Sequence, residues 1–413
     1  MSNPFTTSIA RHPGLALLAL AIGGFTIGTT EFAAMGVLTN VGEAFGVNDA
    51  TAGHTISAYA IGVVLGGPLL TVTSARMPRK TLLIALMALY TFGNLLSSFA
   101  PNLELLIAGR LITGLAHGVF FGVGAVVGTA VVGVARSGFA VSMMLVGLTI
   151  ANIVGVPLSS IVGDKLGWEW TFRLVALLGV ATILGVWWFI PPVAPLPGAS
   201  PKSEFAALKN GPMWLAMAAG AIGFGGMFAA YSYVKPIVLK GVGAGSIAVS
   251  LALAAFGLGM TVGVLLGGRL SDRSVNGTTN LGFITTAISL AVFAFIMGTM
   301  PGVLIGLFLV GVASQILGVS LQAALMDLSP GAPSLGASLC HSSLNLGNAN
   351  GAFLGGLVLT SGLGYPALAW LGVILTVFGL GLMLIVQRLR VPQRILEAAA
   401  PGTSGAAAVE GEK

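Results

Sequence analysis

Two side chains stand out by their isolation. Glu31 is the only charged residue between Arg11 and Glu43, and Arg110 the only one between Glu104 and Arg136. A carboxylate set among alanine, glycine, threonine and phenylalanine is costly to ionise, so its natural chemistry is uptake and release of a proton. Counted inward from Asn40 and from Leu103, the two residues lie roughly 10–14 Å deep at about 1.5 Å per residue. Similar depth permits an ion pair; the bland alternative is an arginine that hydrogen-bonds backbone carbonyls.

Further polar residues lie in otherwise apolar stretches. His117 follows Arg110 by seven residues, with Thr113, Gly114 and Phe121 on the same helical face. His341, Asn345 and Asn348 form a second polar stripe, and Asn152 and Gln315 are lone amides. A neutral histidine can relay a proton or hold a ligand, although simple packing competes in each case. Together with Phe32, Tyr59 and Tyr231, these residues (His117, Asn152, Gln315, His341 and Asn345) are the candidates for a solute cavity. Enzyme chemistry has no footing: no phosphate-cradling G-x-x-x-x-G-K-[ST] and no metal-ligand spacing occurs, and Cys340 is the only cysteine. No cofactor is expected.

The elements that position these groups follow from composition. Only 7% of 413 residues are charged and 56% are hydrophobic, against about a quarter charged in soluble domains. Such a chain cannot wet its own surface, so most of that surface faces a lipid bilayer. At about 20 apolar residues per crossing, twelve spans emerge: 14–38, 51–75, 80–99, 103–132, 138–162, 168–191, 212–238, 246–270, 280–299, 302–326, 335–361 and 365–387. The fold class is therefore an all-α membrane protein of two six-helix bundles, 1–191 and 212–390. The proline-rich segment 192–211 reads as a cytoplasmic linker and 391–413 as a disordered tail.

Basic residues fix the orientation. With both termini cytoplasmic, Arg76, Arg79, Lys80, Arg136, Lys202, Lys209, Arg269, Arg273 and Arg388 fall inside, while Lys165, Lys235, Lys240 and Arg173 fall outside. The net charge of +6 is spread over span ends, a topology signal and not a nucleic-acid footprint. The halves also repeat one another. Small residues recur every fourth position in spans 2 (Ala58, Gly62, Gly66) and 8 (Ala255, Gly259, Gly263, Gly267), and in spans 5 and 11. Spans 5 and 11 end alike, in Leu166-Gly167-Trp168 and Leu363-Gly364-Tyr365. These smooth strips suggest surfaces on which two repeats slide or rock.

At this point the chain resembles the major facilitator superfamily, and within it the twelve-span drug:proton antiporter branch, looking most like bacterial arabinose-efflux and chloramphenicol-resistance permeases. Gly67 with Arg76, Arg79 and Lys80 matches the family's loop motif after span 2, except that Thr71 replaces its aspartate. The second copy, Gly268-Arg269-Leu270-Ser271-Asp272-Arg273, is fuller. Arg110 and Gly114 match the span 4 motif, and Gly147, Gly155 and Pro157 match the antiporter motif of span 5. The resemblance implies alternating access, a latch of cytoplasmic helix ends by Asp272 and the basic cluster, and a monomer in the bacterial inner membrane. It implies export of a small solute, a sugar or a drug-like molecule, in exchange for protons, a coupling for which Glu31 and Arg110 are the candidates by their isolation in apolar spans. A proton symporter or uniporter on the same fold is the rival reading, and a non-transporting membrane receptor a weaker one.

Overall fold

The structure is a computed structural model that describes residues 12–47, 49–195, 199–329 and 331–399. Among them there is no β-strand, as expected where a lipid-facing backbone must satisfy its own hydrogen bonds. The twelve long helices are α1 (Pro13–Gly36), α2 (His54–Thr73), α3 (Arg79–Ser98), α4 (Leu103–Val132), α5 (Ser137–Ile150, continued through Ala151–Gly155 and Val156–Leu166) and α6 (Trp168–Phe189). The second set is α7 (Gly211–Tyr231), α8 (Ser246–Arg273), α9 (Val275–Ile296), α10 (Met300–Asp327), α11 (Pro333–Thr360) and α12 (Pro366–Ala399). Eleven of the segments are long and apolar enough to cross a membrane. α11 has the length, at 28 residues, but Ser334, Ser338, His341, Ser342, Ser343 and Asn345 line its buried side, so its average hydropathy is low.

Local sequence explains the helix ends. Prolines open α1, α7, α10 and α11, where a missing N–H costs nothing. The Asn102 side chain accepts from Leu105 N–H at 2.9 Å to cap α4, and Ser274 and Thr299 cap α9 and α10. The repeated Leu-Gly-aromatic tripeptide places a positive-φ glycine at corresponding connections, Gly167 with φ +101° and Gly364 with φ +77°, although the second connection is longer, from Ser361 to Tyr365. Two stretches differ from expectation. The linker 192–211 contains a short helix, Pro201–Ala207, and α12 runs on to Ala399, so residues 391–399 are helical and not disordered; 400–413 lie outside the described residues.

The same packing scheme appears in both halves. α2 lies on α4 as α8 lies on α10, and α1 lies on α5 as α7 lies on α11. The small-residue ladders build these contacts within each half, which corrects the expectation that they are sliding surfaces. A Cβ at Gly62 or Gly66 would strike carbonyl oxygens of Leu111 or Leu115 in α4, and one at Gly259 or Gly263 those of Phe308 or Val312 in α10. Gly147 closes on Ala21 of α1, Gly155 on Thr29 of α1, and Gly351 on Gly225 of α7. The ladders make each half a tight unit. Other glycines meet the opposite half: Gly67 of α2 and Gly118 and Gly122 of α4 face α11, and Gly257 and Gly268 of α8 face α5.

Candidate transport site

Residues of both halves converge on one central cavity, small at about 60 Å³ beside the ~300–1,000 Å³ of a typical ligand pocket. From the N-terminal half, Glu31 of α1 and His117 of α4 reach it. Helices α10 and α11 supply a polar wall of Gln315, Gln322, His341 and Asn345, and α7 and α8 an apolar one that includes Met227, Tyr231, Phe256 and Met260. Gln315, Gly318 and Gln322 share a face of α10 at i, i+3 and i+7, and His341 and Asn345 stand one turn apart on α11.

Of the residues anticipated for the cavity, His117, Tyr231, Gln315, His341 and Asn345 line it. Tyr59 does not; it stands behind His117, with its hydroxyl 2.8 Å from Nδ1. Asn152 is turned back on its own helix and donates to Leu148 O at 3.2 Å. The Phe32 and Pro157 side chains lie outside the described residues. Gln322 was missed, although its seven-residue spacing from Gln315 on a helix with a shared glycine gave a usable signal.

Glu31 and Arg110 are close but not bonded to each other. Among the described residues no ion pair or hydrogen bond joins them, so the direct pair permitted by their depth does not form. Arg110 is fully buried. Its Nη1 donates to Thr30 O at 3.3 Å and its Nε to Thr55 O at 3.4 Å, and its guanidinium lies 4.4 Å from the centre of the Tyr59 ring. The reason is geometric: the carbonyls of α1 and α2 and the Tyr59 face enclose the guanidinium, while the Glu31 carboxylate turns to the cavity. Arg110 therefore grips the residue just before Glu31 and adds its charge from behind. On the far side α3 holds the same turn, since Tyr90 Oη, with one proton to donate, lies 2.8 Å from Thr26 O and within hydrogen-bond distance of Thr30 Oγ1.

A chain of rings then crosses between the halves. His117 Nε2 lies 3.3 Å from His341 Nδ1, and the His341 ring stacks on Phe121 at 4.3 Å with 16° between planes. Below this level the halves are sealed at the end that carries the linker. Ser342 Oγ donates to Val63 O at 3.2 Å, Ser142 Oγ to Val264 O at 2.8 Å, and Asp272 Oδ1 accepts from Gly138 N–H at 2.7 Å. Thr71, at the place equivalent to Asp272, reaches Ser338 Oγ only at 3.5 Å. Beyond Thr149 and Thr261, near mid-height, no hydrogen bond joins the halves among the described residues. Of the basic cluster, Arg79 is buried, its N–H donating to Val193 O at 2.8 Å, and Lys80 Nζ bonds Trp187 O at 2.6 Å. Arg76 is exposed. Arg79 thus ties down the start of the linker, and Lys80 the end of α6, within the N-terminal half.

This arrangement of two repeated six-helix halves around one cavity has close counterparts. The sequence matches the Major Facilitator Superfamily model twice, over residues 20–273 and 233–409. The chain belongs to the major facilitator superfamily. It is 39% identical over 376 residues to the inner membrane transport protein YdhP of Escherichia coli (strain K12), covering 91% of this chain and 96% of that protein. It is 30% identical over 349 residues to a chloramphenicol resistance protein of Streptomyces lividans, covering 84% and 89%. Among solved structures, the Escherichia coli fucose:proton symporter FucP aligns with a TM-score of 0.72 over 91% of this chain and 99% of that one; at 14% identity the likeness is one of fold. A multi-pass membrane transporter, not an enzyme, is what this membership establishes.

Proposed function

We propose that the protein is a proton-coupled exporter of a small solute in the inner membrane, with both termini cytoplasmic, working by alternating access. The observation that carries this reading is Glu31: a carboxylate facing the cavity between two tightly packed halves, with the buried Arg110 bonded to the residue before it. The named relatives add an inner-membrane setting and drug resistance, and the distribution of Lys and Arg favours cytoplasmic termini. On that orientation the sealed end is cytoplasmic.

A proton arriving from outside neutralises Glu31 and removes the cost of enclosing a charge as the halves close over the cavity. Opening to the cytoplasm hydrates the carboxylate, releases the proton and admits solute, and the loaded cavity returns outward. Arg110 stays a fixed positive charge beside the site. A cavity this small must widen during the cycle, and the seals described above are the contacts that have to part. The test is pH-gradient-driven flux of radiolabelled chloramphenicol and of a pentose in proteoliposomes. Wild type should accumulate one of them against its gradient, whereas Glu31→Gln should carry only downhill flux. Full gradient-driven accumulation by Glu31→Gln would remove Glu31 from the mechanism; solute flux that moves in the same direction as the protons would replace export by symport.

A further inference from the structure

The network that crosses the halves leaves one donor over, and its direction can be worked out. The buried Tyr59 hydroxyl has a single partner, His117 Nδ1. A buried O–H donates wherever it can, so His117 Nδ1 accepts and its proton resides on Nε2. That Nε2–H donates to His341 Nδ1, which places the His341 proton on its own Nε2. This nitrogen is buried and without a partner, and so is Nε2 of Gln322, on residues only 3% and 1% exposed. The opposite direction would strand the tyrosine hydroxyl as well. Both orphaned donors belong to the polar wall of the cavity, and stacking on Phe121 fixes the His341 ring in place.

We propose that His341 Nε2–H and the Gln322 amide form an acceptor-reading subsite, and that the ligand is a neutral amphipathic solute carrying a carbonyl or nitro oxygen on an apolar, preferably aromatic, body. The inference rests on the cavity being the transport site. Its second support is the opposite wall, where Tyr231 and Phe256 stack at 4.2 Å among methionines. A free sugar, polar on every side, would press hydroxyls against this wall and leave them unpaired, at a cost that rises with each one. A flat apolar body loses nothing there, and its acceptor oxygen meets two donors that otherwise stay unsatisfied. An anion is disfavoured by the Glu31 carboxylate that also lines the cavity.

Equilibrium binding to the purified full-length protein in detergent, without any gradient, tests this apart from proton coupling. The probes are chloramphenicol, which combines an aromatic ring with amide and nitro acceptors, and L-arabinose. Chloramphenicol should bind well ahead of arabinose. His341→Phe, which keeps the ring on Phe121, and Gln322→Leu should each weaken it about tenfold or more, and His341→Gln, which restores an amide donor, should recover most of the loss. Retained melting temperatures establish that the variants are folded. Arabinose binding as tightly as chloramphenicol, no chloramphenicol binding, or unchanged affinity in both His341→Phe and Gln322→Leu overturns the assignment. Binding as expected without proton-driven flux would instead overturn the exporter mechanism and leave this subsite standing.

Discussion

Arg110 illustrates how far single residues carry. Its isolation in an apolar stretch made it conspicuous in the sequence, and both open readings contain part of the answer: it bonds carbonyls, yet it does so on the residue adjoining Glu31. What no spacing rule reveals is which way a long side chain turns once neighbouring helices enclose it. Arg110→Ala should lower the thermal midpoint in detergent, corresponding to roughly 1.5–3 kcal/mol from lost charge-assisted bonds. Arg110→Lys should recover only part of that loss, because an ammonium cannot span Thr30 O and Thr55 O as a planar fork does. Asp272 is a parallel case. Its carboxylate accepts from the Gly138 N–H at the start of α5, where a helix terminus is partly positive. Asp272→Asn should weaken the seal by about 0.3–1 kcal/mol, read as faster labelling of a cysteine placed at Ser142.

Elements were more legible than contacts. Twelve segments could be delimited because a bilayer demands about 20 apolar residues from each, and the polar face that His341, Asn345 and Asn348 mark on α11 was visible in the sequence. The partners of that face were not legible. His117 and His341 are 224 residues apart, and a repeat pattern does not say which small-residue strip packs inside a half and which between halves. The linker helix Pro201–Ala207 was hidden by its proline-rich surroundings; Ser200 and Ser203 form a capping box that marks it. It buries Glu204 near Arg79. Burial pushes the Glu204 carboxyl from 4.5 up to about 7, with the Arg79 guanidinium pulling it back down. A raised acid pKa means that the docked helix holds a proton that the undocked helix would release. Docking therefore weakens as pH rises from about 4.5 towards 7, and the stabilisation is lost above that. Protection factors across 200–208, corrected for the intrinsic exchange rate at each pH, should be higher at pH 5.5 than at pH 8, and Glu204→Gln should abolish the difference; equal protection in wild type at both pH values would refute the assignment.

At the scale of the molecule, internal ladders and external seals respond differently to the same insult. Gly66→Val drives a side chain into the α4 backbone at Leu115 within one half, so it should reduce folded yield. Gly268→Val meets Gly138 and Ser142 across the boundary, so each half should stay folded while the linker end opens. Crosslinking of a Ser142→Cys/Val264→Cys pair in a Cys340→Ser background distinguishes these outcomes: Gly268→Val should abolish the crosslink without loss of protein. The two seams closing the linker end are related by the repeat but unequal, one fastened by a carboxylate on a helix terminus and the other, at Thr71, by a pair of hydroxyls. On the proposed alternating-access cycle this inequality predicts a hinged door in place of a symmetric clamshell: the α2–α11 edge should part first, with the α5–α8 edge as the pivot.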